Sequence, residues 1–424
     1  MVAGTERRGR RRGWPRALRH RQFRLWYAGS TLSALGSTMV PVTITFAVLG
    51  RYHTAGAVGT VLTAESAPLA LLLLFGGVIG DRVSRRLLLL ASDGVSALVQ
   101  GLAAALLFHG GWQLWQLAAL FAVQGAATGL STPALLGMVS DVVPPADRQQ
   151  ANTLRSLATS GAGIAGPAVA GLIAGTGGGG LGLAVNAGTY AVSALALGLM
   201  APVVAAPRSG ASMLADLAHG WREFTSRSWL WSIVAQFGLF HLLVYPPVMV
   251  LGALVAEQHL GGASAWGLVL GAFGAGSVLG GLLMLRWHPS RPLLVATLSA
   301  LSFAAFAGVI ALRASLPWQA AVAFVGGALL ADFDVLWNTA LTTHVPAGVL
   351  SRVSAYDYFG SVVLLPVGYA VVGPVGEAIG VSTTLWVAAG AWTVLCALVL
   401  LVAEVRTMPR LEPGLEPGLE PGLA

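Results

Sequence analysis

Four carboxyl groups stand inside long apolar runs: Glu65, Asp93, Asp332 and Asp334. An ionised group at mid-bilayer costs several kcal/mol unless it is paired, protonated or hydrated. A carboxyl placed there can load a proton on one side of a membrane and release it on the other. These four are therefore the proton-carrier candidates. The alternative for each is a neutral carboxyl that hydrogen-bonds to neighbouring helices. Asp332 and Asp334 are two residues apart, about 200° around a helix, so both cannot face one cavity squarely. Asp334 is preferred because it directly precedes the stretch Val335-Leu336-Trp337-Asn338-Thr339.

A second group of residues suits an organic solute. His241 and Tyr245 lie at i, i+4 on one helical face, and Trp231, Phe237 and Phe240 occupy the same run. Aromatic and hydrogen-bonding groups together fit an amphipathic molecule, so His241, Tyr245, Trp337 and Asn338 are the substrate-cavity candidates, with ordinary interhelical packing as the competing reading. Gly163, Gly166, Pro167 and Gly171 form a glycine–proline series that bends or thins its helix against a partner, a conformational role. Neither metal-ligand spacing, nor a phosphate-binding loop, nor a nucleophile–base pair is found. The expectation is therefore no enzyme, no cofactor and no metal. The single cysteine, Cys396, excludes an intrachain disulfide.

These residues need elements to hold them, and composition says which. The chain has 424 residues, 56% of them hydrophobic and only 10% charged, with mean hydropathy +0.76. Soluble domains carry about 25% charged residues. A water-soluble enzyme and a disordered chain are both excluded, and lipid must be the main solvent. Runs long enough to cross a hydrocarbon core about 30 Å thick number twelve: Phe23–Val48, Ala57–Gly80, Leu87–Phe108, Trp112–Met138, Thr153–Ala174, Gly180–Val203, Trp229–Val255, Ala263–Leu285, Pro292–Leu312, Trp318–Leu341, Ala355–Glu377 and Thr383–Val402. The fold class expected is an all-α membrane protein.

All 24 basic residues are arginine, and 22 of them fall at the N-terminus, at the C-terminus or in the loops of one side; only Arg51 and Arg313 fall on the other. The positive-inside rule then puts both termini in the cytoplasm of a multi-pass protein of the inner or plasma membrane. The nine arginines from Arg7 to Arg24 precede a span too long for a cleaved signal. They suit contact with anionic lipid rather than nucleic acid. The chain divides into a basic segment (1–22), a first bundle (23–203), a linker (204–228), a second bundle (229–405) and a tail (406–424). Part of the linker, Met213–Phe224, reads either as a short helix along the membrane surface or as a plain connector. Repeated Leu-Glu-Pro-Gly forbids a helix in the tail.

The halves look duplicated. Gly125 in the fourth run is followed by Val143-Pro144, and Gly327 in the tenth by Val345-Pro346, at an offset of 202 residues. Gly76-Gly77 and Gly280-Gly281 close the second and eighth runs at an offset of 204. Two homologous six-helix halves are expected.

At Gly77-Val78-Ile79-Gly80-Asp81-Arg82-Val83-Ser84-Arg85-Arg86 the sequence resembles the major facilitator superfamily, whose loop between spans two and three reads G-x-x-x-D-R-x-x-R-R/K. Within it the chain looks like the drug:proton antiporter branch that includes macrolide-efflux proteins and enterobactin-type siderophore exporters. The supporting stretches are Val143-Pro144-Pro145 through Arg148 to Ala151-Asn152-Thr153-Leu154, the glycine–proline series of span five, and Val335 to Thr339. In many relatives an arginine stands three residues before the Gln-Gly of span four. Here that position is Phe121, so any coupling must run through other groups.

The resemblance implies two pseudo-symmetric six-helix bundles around a central cavity. It implies a cytoplasmic gating motif of Gly77, Asp81, Arg82, Arg85 and Arg86, with Asp81 against the N-terminus of span eleven and Arg85 reaching Asp141, latching that side in the outward-open state. It also implies a monomer that exports a small organic substrate, a drug or secondary metabolite, in exchange for protons, as in multidrug resistance. Two other readings stay open: uptake through the same fold, and a membrane-embedded binding or assembly protein that does not transport.

Overall fold

The computed structural model describes residues 16–202 and 220–409, except the side chains of residues 74–82, 176, 347, 348 and 351. Within a bilayer every backbone polar group must be bonded internally, which leaves helices as the solution for runs of this length. Among the described residues twelve helices are long and apolar enough to cross. They are α1 (Arg21–Tyr52), α2 (Ala55–Arg82), α3 (Arg85–His109), α4 (Leu114–Val142), α5 (Pro145–Gly175), α6 (Gly177–Gly198), α7 (Ser228–His259), α8 (Ala263–Met284), α9 (Pro292–Ala311), α10 (Leu316–His344), α11 (Arg352–Ile379) and α12 (Val381–Leu400). Each of the twelve runs read from the sequence falls on one of them.

Local chemistry sets several ends. The Ser84 hydroxyl accepts from the Leu87 N–H and starts α3. Gly110, at φ 72°, stops α3 in a left-handed turn. Side-chain Oε1 of Gln116 accepts from the Gln113 N–H at 2.8 Å at the start of α4. At the start of α6 the chain turns through Gly178 at φ 73°, which a side chain would strain.

Three spans are broken, and prolines account for two of the breaks. A π turn, Pro247–Leu251, follows Pro246 in α7, because two successive prolines remove two N–H donors. In α11 the helix breaks at Val363–Leu364, just before Pro366. The two breaks abut: a Cβ on Gly368 would lie 2.5 Å from the His241 carbonyl oxygen and 2.7 Å from Pro246 Cγ. In α9 the break falls at Leu301.

In the first half α1 packs along α5 and α6, α2 on α4, and α3 on α4 and α6. In the second, α8 and α9 pack on α10, and α7 and α9 pack on α12. The duplication shows in detail. Gly125 of α4 sits against the Glu65 carbonyl of α2, and Gly327 of α10 sits against the Phe273 carbonyl of α8. The interiors nonetheless differ. Aromatic rings fill the second half, with Phe237–Phe333 centroids at 4.6 Å and Phe240–Trp392 at 4.7 Å, and the Trp392 indole donates to the Ala300 carbonyl at 2.7 Å. Hydroxyls line much of the first half, which leaves it room for a polar cavity.

Of the expected domain boundaries, residues 1–15, 203–219 and 410–424 lie outside the described residues, and with them most of the basic segment, the linker and the Leu-Glu-Pro-Gly tail. Residues 220–225 are helical, and Trp221 meets Tyr356 of α11 edge-on while Phe224 packs on it at a tilt.

Candidate functional site

The halves meet at the end carrying Arg51 and Arg313. There α2 touches α11: Gly373 lies against the backbone of Gly56, and the Thr63 hydroxyl donates to the Pro366 carbonyl at 3.3 Å. On the opposite edge α5 touches α8. A Cβ on Gly171 would lie 2.7 Å from the Ala263 carbonyl oxygen and 2.9 Å from Gly267 Cα, and a Cβ on Gly274 would lie 2.8 Å from Ile164 Cα. Such approach is possible only without a side chain. Toward the arginine-rich end contact stops, since a Cβ on Gly161, Gly163 or Gly281 would meet nothing within 4 Å. Among the described residues the halves thus meet at the arginine-poor end, while α5 and α8 part toward the other.

This geometry divides the glycine–proline series. Gly166 packs on Thr38 of α1, inside the first half. Gly171 and the Pro167 carbonyl form the seal against Gly267. Gly163 faces open space.

The side chains of Gly77, Asp81 and Arg82 lie outside the described residues. Arg85 and Arg86 do not, and both brace the first half. Arg85 donates at 2.8 Å to both the Gly137 carbonyl and Asp141 Oδ1. Arg86 donates to the Leu197 and Gly198 carbonyls at 2.7 and 2.8 Å, where a cation complements the negative end of α6. Both members of the Arg85–Asp141 pair belong to the first half. It therefore ties α3 to α4 and does not by itself latch the two halves. The loop after α4 is held likewise: Arg148 donates to the Ser140 carbonyl at 3.1 Å, and His20 pairs with Asp147 at 2.9 Å.

The four carboxyl groups separate. Glu65 is half-buried in α2, less than one turn from the Thr63–Pro366 contact, without a hydrogen-bond partner among the described residues and within electrostatic reach of Tyr369 on α11. Asp334 is exposed on the open half of α10, with Asn338 one turn on, also exposed, donating to the Asp334 backbone carbonyl at 2.8 Å. Asp332 points away and is buried at 5% exposure, with Oδ1 unpartnered. Asp93 is half-buried in the first half and accepts a hydrogen bond from Ser193.

The aromatic candidates also separate. His241 and Tyr245 are half-buried neighbours with rings 5.5 Å apart, and His241 Nδ1 bonds the Phe237 carbonyl at 2.9 Å. Trp337 faces inward at 7% exposure, stacked on Phe333 and edge-on to Trp229. It packs the second half and does not face open space. Its indole donates to Asp357 Oδ2 at 3.3 Å. Asp357 was missed, although a carboxyl between Tyr356 and Tyr358 in an apolar run was a visible signal.

A cavity of about 310 Å³ opens within the first half, lined by α1, α3, α4, α5 and α6. Its outer lining (Trp26, Leu89, Leu135, Arg155, Leu197) comes from turns nearest the arginine-rich end. Its floor includes Ser37, Ser96 and Tyr190, where the Ser37 and Tyr190 hydroxyls bond at 2.9 Å and Gln124 donates to Ser96 at 3.0 Å. From Trp26 to Ser37 the depth is about 16 Å along α1. Arg155 and Trp26 had no place among the candidates, because five helices far apart in sequence assemble this wall.

Compared with known families, residues 26–363 match the Major Facilitator Superfamily. No curated protein matches the chain. Among solved structures it is similar to a POT family transporter in complex with thioalcohol conjugated peptide, with TM-score 0.72, 11% identity, and coverage of 90% of this chain and 96% of the other. It is also similar to the nucleoside transporter NupG, with TM-score 0.68, 13% identity, and coverage of 90% and 98%. At such identity the likeness is one of fold.

Proposed function

The chain belongs to the Major Facilitator Superfamily and is a secondary transporter, not an enzyme, and from that premise we propose that it exports an amphipathic organic compound in exchange for protons. The observation that carries the reading is the one-ended seal. Two duplicated bundles, taken as residues 23–203 and 229–405, close on tight helix contacts at the arginine-poor end, and among the described residues α5 and α8 part toward the other. Such a pair can rock so that the opening faces each side in turn.

Two carboxyl groups are placed to follow that motion. Glu65 sits just inside the seal and Asp334 on the wall of the open half. Neither has an ion-pair partner among the described residues. A carboxyl exposed to one side in one state and to the other side in the next carries a proton across. His241, Tyr245 and Asn338 supply rings and hydrogen bonds for the substrate. The arginine distribution supports a cytoplasmic location for the open end and both termini, and the N-terminal arginines suit anionic lipid there. The protein works as a monomer in this reading.

The test is transport of a fluorescent amphipathic amine in proteoliposomes with an imposed pH gradient. The gradient drives uphill movement in the wild type, and Asp334→Asn abolishes the driving while downhill exchange continues. Movement indifferent to the gradient and unchanged in Asp334→Asn overturns the coupling.

A further inference from the structure

The polar cavity inside the first half has no role in that cycle. It lies between α1 and α4 and runs back to α3 and α6, away from the interface between the bundles. Its wall carries one cation, Arg155, and one anion, Asp93. Neither forms an ion pair among the described residues. Three polar atoms of its lining are buried with no hydrogen-bond partner: Nε1 of Trp26, whose side chain is 1% exposed, Nε of Arg155 and Oγ1 of Thr31. Two of these are obligatory N–H donors. Buried donors left unpaired cost about 1–3 kcal/mol each, so their placement in the wall of a cavity needs an account.

We propose that this cavity is a second binding site, for a small zwitterion whose anionic group lies against Arg155 and the Trp26 indole N–H and whose cationic group lies against Asp93. Charge balance selects the class. A lone anion leaves the half-buried Asp93 without a counter-charge, and a lone cation leaves the half-buried Arg155 so; only a solute carrying both charges satisfies both. Size agrees, since a volume of about 310 Å³ falls at the lower end for small-molecule sites. Hydroxyls of Ser30, Ser33 and Thr159 along the wall hold the middle of the solute. Tyr27, half-buried in the lining, offers a ring face. Entry is from the arginine-rich end, where Arg155 meets the anionic group first.

The experiment is isothermal titration calorimetry on the detergent-purified full chain without any gradient, so its outcome is independent of proton coupling. The probes are L-phenylalanine and 6-aminohexanoate, each compared with its single-charge halves: 3-phenylpropanoate and phenethylamine, hexanoate and hexylamine. At least one zwitterion binds saturably, and its halves bind about tenfold more weakly or worse, the loss expected for one charge-assisted hydrogen bond. Asp93→Asn removes the preference over the anionic half, and Arg155→Gln the preference over the cationic half. Should either variant fold poorly, Ser30→Cys in a Cys396→Ala background replaces it, and the zwitterion protects that cysteine from a maleimide where the halves do not. Zwitterions that bind no better than their halves, or binding unchanged in both charge variants, overturn the proposal.

Discussion

Substituting Gly171 tests the seal directly. A Cβ at this position would stand 2.7 Å from the Ala263 carbonyl oxygen and 2.9 Å from Gly267 Cα. Both are backbone atoms, so no rotamer change relieves the clash, and Gly171→Val adds two methyl groups to it. Relief comes only when α5 and α8 part at their sealed end. Overpacking of this kind costs about 1–3 kcal/mol, and the cost falls on the sealed state alone. The equilibrium therefore shifts about 5- to 150-fold toward the state open at the arginine-poor end. The assay uses Ser264→Cys as reporter in a Cys396→Ala background. Ser264 lies beside Gly175 in the seal, so its modification by a membrane-impermeant maleimide follows seal opening. The expected result is labelling faster by that factor in Gly171→Val and a slower transport cycle. Gly163→Ala, on the same helix but facing open space, leaves labelling unchanged or slows it. Equal labelling in wild type and Gly171→Val refutes the reasoning, as does faster labelling in Gly163→Ala.

Gly267→Val, on the facing helix, gives the same shift, and combining it with Gly171→Val adds much less than a second full increment, because the helices are already apart; labelling of the double variant checks this. Cys396 is 0% exposed, so the otherwise unaltered chain resists maleimide until it is unfolded, which mass spectrometry reads. Arg85→Ala lowers stability by about 1–2 kcal/mol, more than Asp141→Asn, since Arg85 also bonds the Gly137 carbonyl; thermal unfolding in detergent ranks the two. Cysteines placed at Arg51 and at Trp287 report sidedness: in intact cells an impermeant reagent reaches the first and not the second, and the reverse would invert the orientation.

Much of the fold is legible in the sequence because lipid imposes so few solutions. Length and hydropathy give the spans, and Gly125 and Gly327 mark the duplication because the second and fourth helix of each half approach backbone to backbone. The angle between Asp332 and Asp334 separates a buried carboxyl from an exposed one without coordinates. What is not legible is which end is sealed. Gly163 and Gly171 read alike in the sequence, and only the packing of α5 puts one in open space and the other in contact. A local stretch such as Val335 to Thr339 says where Trp337 lies along a helix, not which way it points, and its ring turned out to fill the second half. The breaks in α7 and α11 had visible prolines. The cavity of the first half had no local signal, because its wall is made of hydroxyls scattered over five helices.

The closest contacts at the arginine-poor end set glycines of α5, α8 and α11 against backbone of the facing helix, joined by a few side chains such as Thr63 and Ile164. The groups offered to a solute, Asp334, Asn338, His241 and Tyr245, contribute nothing to that closure. Barrier and chemistry therefore reside in separate sets of positions. Lining residues can be exchanged for others of different size or polarity, changing what is carried, while the mechanical element that keeps the membrane tight is inherited untouched.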